Sequence, residues 1–151
     1  MKPRSRQRYK GRREGGTFTA IPHALQDSAN WRQCSGTGIK LLLDIARQYN
    51  GRNNGDLSAA MTILKSSGWS SPDTLNNALK ELRHYGFLIL TRQGGLNMPS
   101  LYALSWLGID PCGGKLTCAT PGPIAPGTWK IAQSRYKRPA KSSATTKSVP
   151  A

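Results

Sequence analysis

Apolar residues recur at helical spacing in the middle of the chain and predict three helices. In the first, they stand at i, i+3, i+4 and i+7: Ile39, Leu42, Leu43 and Ala46. Ser35 or Thr37 is predicted to cap the start of this helix, and Asn50-Gly51 to end it. A shorter segment before it, capped by Ser28, is predicted to form a single helical turn that includes Trp31.

Two further helices are predicted, each with a serine at its start and a glycine at its end. Ser58 is the expected cap of the second helix, and Gly68 its end. Ser71 is the expected cap of the third helix, with Pro72 at its first position and Gly86 after its last turn. The third helix has a buried stripe at i, i+3, i+4 and i+7: Leu75, Ala78, Leu79 and Leu82.

Two apolar runs follow the third helix, over residues 87–92 and 100–106. The polar, glycine-containing residues 93–99 join them, which is typical of a β-hairpin with a longer loop. The order of elements therefore predicts an α+β fold. We expect three helices and a C-terminal β-hairpin, folded as one domain over residues 17–110.

The net charge lies mostly outside that predicted domain. The chain has 22 Lys and Arg against 7 Asp and Glu, a formal charge of +15. Residues 1–16 have a net charge of +6, residues 17–110 of +2 and residues 111–151 of +7. Both flanking segments are predicted to be disordered basic tails. This distribution favours a polyanionic partner, above all nucleic acid, although tails that serve solubility alone are an alternative.

A motif in the third helix indicates the family. Residues 71–88 fit the pattern Ser-x-x-Thr-apolar-x-x-Ala-Leu-x-x-Leu-x-x-x-Gly-apolar-apolar at each position. This stretch resembles the recognition helix and first wing strand of bacterial winged helix-turn-helix proteins: GntR-like and MarR-like regulators and several phage and plasmid replication initiators. Residues 49–57 are similar to small helix-turn-helix proteins of proteobacteria and their mobile elements. The resemblance implies a three-helix winged helix-turn-helix whose hairpin is the wing.

The face of the third helix opposite its leucines is the expected DNA-binding surface. Asn76 and Asn77 are predicted to contact base edges, since an asparagine amide pairs bidentately with adenine. Asp73 on this face would lie near a phosphate or accept from a cytosine amino group. The expected phosphate contacts lie at the helix N-terminus and on its outer face: Ser71, Thr74 and Lys80.

The wing and the N-terminal tail supply the other predicted contacts. Arg92 at the base of the wing and Asn97 at its tip are expected to enter the minor groove or contact the DNA backbone. The N-terminal tail either follows an A·T-rich minor groove or adds sequence-independent affinity through counterion release. Its predicted contact residues are Arg4, Arg6, Arg8, Arg12 and Arg13. In the other tail, Tyr136 is expected to be an exposed aromatic residue that could stack on an unpaired base.

The sequence gives little support for an enzyme, a cofactor or a metal site. The seven carboxylates are scattered singly, and neither histidine has an evident nucleophile beside it. The three cysteines fit neither a zinc spacing nor a disulfide framework, which favours a reducing compartment. No apolar run approaches the roughly 18 residues of a membrane span. We therefore expect a bacterial, cytoplasmic, nucleoid-associated protein without enzymatic activity.

Two roles stay open for a protein that binds double-stranded DNA. One is a transcriptional regulator, usually a dimer on a palindrome, and the other is a replication or maintenance factor of a plasmid or phage. A second copy of the chain, or a replication or transcription protein, would be the additional partner. The alternative is a winged-helix protein–protein interaction module whose tails bind nucleic acid without sequence preference.

Overall fold

The computed structural model describes residues 15–140. Within this range the chain forms five α-helices and a three-stranded antiparallel sheet with the strand order β1-β3-β2. The mixed helix-and-sheet class expected from the sequence is therefore confirmed. The helices are α1 (His23–Gln26), α2 (Ala29–Gln33), α3 (Gly36–Ala46), α4 (Met61–Leu64) and α5 (Pro72–His84). The strands are β1 (Leu57–Ser58), β2 (Leu88–Arg92) and β3 (Leu101–Leu104).

Serine side chains begin three of these helices, as the sequence predicts. The hydroxyl oxygens of Ser28, Ser35 and Ser71 accept backbone N–H bonds at the starts of α2, α3 and α5, respectively. Each bond satisfies one of the donors that a helix N-terminus leaves without an intrahelical acceptor. The helix α3 ends at Ala46, a turn earlier than expected. The amides of the next turn bond three residues back, so the chain tightens before it reaches Asn50.

The predicted cap at Ser58 is wrong. Ser58 lies in β1, where it pairs with Leu101 of β3, and α4 begins three residues later at Met61. Its hydroxyl accepts from the Ala60 amide at 3.1 Å, which is a local serine turn instead of a helix cap. The backbone of this segment gains a sheet partner from residues more than 40 positions away, a contact that helical periodicity does not reveal.

The predicted hairpin is confirmed. Strand β2 pairs antiparallel with β3, with Leu88 opposite Leu104, and an irregularity between Leu90 and Arg92 shifts the register. Strand β1 occupies the other edge of β3. The central strand β3 is buried at all four positions, so the sheet forms one wall of the core.

The core lies between that sheet and the two longest helices, α3 and α5. It is built mainly from leucine, with Tyr85 and Phe87 at the junction of α5 and β2. The fully buried apolar residues of the two helices are Leu41, Leu42, Ile45 and Leu82. This packing fixes α5 at the side of the domain and sets which of its faces remains accessible.

The chain after Asp110 differs from the expected disordered tail, as far as residue 140. It forms 3₁₀ turns at Cys112–Gly114 and Thr128–Lys130 and an isolated β-bridge between Gly122 and Ile109, and it packs on the preceding residues. The amide nitrogen of Asn30 in α2 donates to the carbonyl oxygens of Trp129 and Ile131 at 3.1 and 2.9 Å. Its Oδ1 accepts from the Gln133 amide at 2.9 Å. A buried asparagine thus holds residues 129–133 against α2.

Candidate nucleic-acid interface

The helix α5 follows α4 after a short turn. A 3₁₀ turn, Lys65–Ser67, extends α4, and Gly68 then takes the left-handed conformation with φ of 96°. Glycine adopts this conformation without a steric penalty, so it ends the helix where the sequence places a stop. Residues 69–71 then lead directly into α5, which presents a polar face beyond the turn.

The inner side of α5 is fixed to the start of α3 by a buried glutamate. Glu81 is 8% exposed, and its Oε1 accepts from the backbone amide and the hydroxyl of Ser35 at 2.9 and 2.6 Å. The thiol of Cys34 donates to the same oxygen at 3.2 Å. Because Ser35 also caps α3, these contacts join the N-terminus of one helix to the middle of the other.

The Cys34 thiol is shifted towards its neutral form. Burial raises the pKa of Cys34, and the adjacent Glu81 raises it further. Since the thiolate is the reactive form, we expect iodoacetamide at pH 8 to modify exposed Cys118 at least about tenfold faster than Cys34. Mass spectrometry of a time course measures both rates. Equal rates at the two cysteines would contradict the buried Cys34–Glu81 contact.

The outer side of α5 is polar and mostly accessible. Asn76, Lys80 and Arg83 are exposed and lie one turn apart on the same side of the helix. Asp73 and Thr74 are exposed near its N-terminus. Arg83 is absent from the residues predicted to contact DNA, although its spacing of three from Lys80 and seven from Asn76 was a usable signal.

Residues 134–140, which we name the strap, run along this same helix. The Tyr136 hydroxyl donates to Asn77 Oδ1 at 2.9 Å, so Asn77 is half-buried. At the C-terminal end of α5, the His84 ring nitrogen Nε2 lies 2.7 Å from the Ser134 carbonyl oxygen. At the other end, Arg138 Nη2 lies 3.8 Å from Asp73 Oδ2. A cleft of about 210 Å³ separates Arg138 and Pro139 from the helix.

Tyr136 itself is half-buried, in contrast to the exposed aromatic residue expected from the sequence. Its ring packs at the edge of the hydrophobic core, and its amide donates to the Tyr85 hydroxyl at 2.9 Å. Burial raises the pKa of Tyr136, so its hydroxyl stays protonated and able to donate to Asn77. Two hydrogen bonds therefore fix this residue over α5.

A groove of about 460 Å³ lies beside the N-terminus of α5. Ser71 and Thr74 line one side, and Thr37 and Lys40 of α3 line the other. The Lys40 ammonium is 2.7 Å from Asp44 Oδ2 and lies over the Trp69 ring, 5.1 Å from its centre. The structure thus places two predicted phosphate contacts, Ser71 and Thr74, beside a cation that already has a carboxylate partner.

The two contact residues predicted in the β2–β3 hairpin have different environments. Arg92 is half-buried, and its Nη2 donates to the Pro99 carbonyl oxygen at 3.0 Å, so this guanidinium braces the hairpin loop. Asn97 lies exposed at the tip with φ of 57°, a conformation that asparagine tolerates better than most residues. The neighbouring Leu96 is 94% exposed. Of the two, Asn97 is placed to reach a partner.

The structure brings seven of the predicted residues onto one helix and one tip. Those on α5 and at its cap are Ser71, Asp73, Thr74, Asn76, Asn77 and Lys80, and Asn97 lies at the tip of the β2–β3 hairpin. The five arginines predicted in the N-terminal tail, Arg4, Arg6, Arg8, Arg12 and Arg13, lie outside the described residues.

The described part of the chain shows neither a membrane-spanning helix nor a metal centre. Between residues 15 and 140 no helix has the length and apolarity needed to cross a bilayer. Over the same range, no three His, Cys, Asp or Glu residues are grouped so that they could hold a metal ion. Comparison of the chain with protein-family models, with curated proteins and with solved structures finds no match.

Proposed function

We propose that this chain binds double-stranded DNA through a winged helix-turn-helix in which α5 is the recognition helix. The observation that supports this most is the exposed polar face of α5, placed between a short turn on one side and the β2–β3 hairpin on the other. A helix in this position can enter the major groove while the hairpin lies over the adjacent backbone. Two short helices, α1 and α2, precede α3, so the described residues form five helices where three were expected, and the proposal rests on α3, α4, α5 and the hairpin that follows them.

Charge supports a polyanionic partner. The described residues 15–140 contain 13 Lys and Arg and 6 Asp and Glu, a net charge of +7, and the whole chain reaches +15. On α5, the buried Glu81 is directed towards α3, while Lys80 and Arg83 remain on the surface. The Glu81 carboxylate thus bonds to Ser35 and not to the surface cations, so Lys80 and Arg83 can face a phosphate backbone.

Selection from a pool of randomised duplexes tests this proposal. The full chain, at near-physiological salt, is expected to enrich a defined motif of one or two major-groove half-sites. A palindromic motif would favour a dimeric regulator, and direct repeats would favour a replication or maintenance factor. Binding without any enrichment would overturn sequence-directed recognition and favour the protein-interaction module with nucleic-acid-binding tails.

Substitution of Asn76 measures the contribution of α5 to specificity. On the enriched duplex, Asn76→Ala is expected to cost about 1–3 kcal/mol of binding free energy and to remove the preference at one base pair, because a bidentate amide contact is lost. Competition with duplexes altered at each position measures this. Gln26→Ala, which removes an exposed amide from α1, is the control and should leave affinity unchanged. Equal preferences for Asn76→Ala and the wild-type chain would contradict the assignment.

Substitution of Lys80 tests the phosphate contact separately. Lys80→Ala is expected to weaken all duplexes alike and to reduce the slope of log affinity against log salt by about 1, since one counterion fewer is released. Affinities measured from low to moderate salt on the enriched and a scrambled duplex give both slopes. A loss confined to the enriched duplex would instead place Lys80 on a base.

A further inference from the structure

We propose that the strap, residues 134–140, is a displaceable cover over α5 that must leave the helix before α5 enters a major groove. This inference rests on the proposed DNA binding. It states that the protein binds DNA with the strap detached from α5. It also identifies Tyr136 as the residue that holds the strap on the helix in the covered state. The position of the strap, the contacts that hold it and the width of the major groove support this inference.

The strap runs beside the exposed face of α5 over nearly the full length of the helix, while Asn76, Lys80 and Arg83 stay exposed. Ser134 contacts His84 in the last turn, Tyr136 contacts Asn77 in the middle, and Arg138 lies near Asp73 in the first turn. The helix rises by about 16 Å over these 11 positions, and an extended chain covers about 13 Å in four residues. The strap is therefore an extended segment antiparallel to the helix.

The major groove of B-DNA is too narrow to hold α5 and the strap together. It is about 12 Å wide, close to the diameter of one helix with its side chains, about 10–12 Å. An extended segment beside the helix adds about 5 Å, the spacing of neighbouring strands. Helix and strap together thus exceed the groove. The Tyr136 hydroxyl, moreover, occupies one of the two lone pairs of Asn77 Oδ1, so Asn77 is already partly engaged while the strap is in place.

The two parts of the C-terminal segment are held differently. Residues 129–133 bond to Asn30, which is fully buried, so this part is a fixed anchor. The strap beyond it is held by contacts that are exposed or half-exposed. The Arg138–Asp73 pair has side chains 52% and 67% exposed and is separated by 3.8 Å, and such pairs add little stability. Detachment of the strap therefore costs mainly the ring packing and the two hydrogen bonds of Tyr136, while the anchor remains bound.

Charge gives the detached strap a role in the DNA complex. It contains Arg135, Lys137 and Arg138 and lacks acidic residues. Once released from α5, these side chains remain tethered at the edge of the groove, within reach of phosphates. DNA thus competes with the strap for the helix face and attracts it to the adjacent backbone.

Two Tyr136 variants and one control test the cover. Tyr136→Ala removes the ring and the hydroxyl but keeps the charge of the strap, and Tyr136→Phe removes the hydroxyl alone. Ile131→Ala trims an exposed side chain from the anchor, whose bond to Asn30 uses the backbone carbonyl. On the duplex enriched by the wild-type chain, we expect Tyr136→Ala to bind about tenfold more tightly and Tyr136→Phe about threefold. Ile131→Ala should match the wild-type chain.

Hydrogen–deuterium exchange of the wild-type chain gives an independent measurement. The Tyr136 amide donates to the Tyr85 hydroxyl in the covered state, so peptides spanning residues 134–140 should exchange faster when the enriched duplex is bound. Peptides spanning α5 should exchange more slowly. Circular dichroism melts establish whether each variant is folded. If Tyr136→Ala does not fold, Tyr136→Phe still tests the inference, because it keeps the aromatic ring and removes only the hydroxyl.

The outcomes separate this inference from the proposed function. Tighter binding by both Tyr136 variants with faster exchange of the strap supports the cover. Unchanged or weaker binding by the variants, or slower exchange of the strap on DNA, would show that the strap stays in place or belongs to the interface, and would overturn the inference while DNA binding stands. If no duplex is enriched, the proposed function and the inference both fail.

Discussion

Replacing Asn30 by alanine is expected to lower the free energy of unfolding by about 3–5 kcal/mol. Asn30 is fully buried, and the two N–H groups of its side-chain amide are shared among the carbonyl oxygens of Tyr85, Trp129 and Ile131 at 2.9–3.1 Å. Its Oδ1 accepts from Gln133. Alanine leaves these four backbone groups without a side-chain partner, and a buried polar group without a partner costs about 1–3 kcal/mol. Urea denaturation followed by tryptophan fluorescence measures the loss.

A neighbouring glutamine provides the control for Asn30. Gln33, on the same helix, donates one hydrogen bond to the Gln133 carbonyl oxygen at 3.2 Å and is half-buried. Gln33→Ala is expected to cost at most about 1 kcal/mol. If Asn30→Ala and Gln33→Ala were equally mild, the C-terminal segment would not be anchored through Asn30, and the fixed half of the proposed cover would be absent.

The second large effect is expected at Gly38, in the first turn of α3. A Cβ at this position would overlap Glu81 Oε1 and lie 2.9 Å from the Cys34 sulfur. Glu81 would have to leave its hydrogen bonds with Ser35, or α5 would have to move away from α3. We expect Gly38→Ala to lower the free energy of unfolding by about 3 kcal/mol, since overpacking and a broken buried contact add together.

Gly36 supplies a matched control in the same helix. A Cβ built at Gly36 has no atom within 4 Å. Gly36→Ala is therefore expected to stabilise the protein by about 0.4–1 kcal/mol, because alanine restricts the unfolded chain without a clash. The two variants are compared by urea denaturation. If Gly38→Ala and Gly36→Ala changed the free energy of unfolding by the same amount, this would contradict the close approach of α3 and α5 at Glu81.

The sequence predicts the local parts of this fold well. Serine caps at the starts of α2, α3 and α5, the end of α4 at Gly68 and the hairpin after Gly86 are all properties of neighbouring residues. Local patterns specify these features because the groups that satisfy a cap or a turn lie within a few positions of it. The apolar stripe of α5 likewise predicts its inner face correctly.

Contacts between distant segments were not predictable in this way. The local pattern predicts Ser58 as a helix cap because it does not reveal the strand partner in β3, and the Glu81–Ser35 contact joins positions 46 residues apart. The segment after residue 110 has the composition of a disordered tail, yet Asn30 in α2 bonds to residues 129–133 within it. Asn30 has no local signal, since its partners are backbone groups about 55–103 positions away.

The candidate interface shows the same division. Helical periodicity places Asn76 and Lys80 on the outer face of α5, and the structure adds Arg83 beside them. The strap over Asn77, by contrast, depends on the folded position of Tyr136, 59 positions further along the chain. Which polar residues of a helix are free to bind is thus a property of the whole fold, even where the helix itself is locally encoded.

Dimethyl sulfate footprinting on the enriched duplex tests the central claim, that α5 binds in a major groove, most directly. The reagent methylates guanine N7 in the major groove and adenine N3 in the minor groove, so one experiment reports on both grooves. The account predicts that the wild-type chain protects N7 of guanines across one major-groove segment and that Asn76→Ala weakens that protection. Protection confined to adenine N3, or protection unaffected by Asn76→Ala, would contradict it.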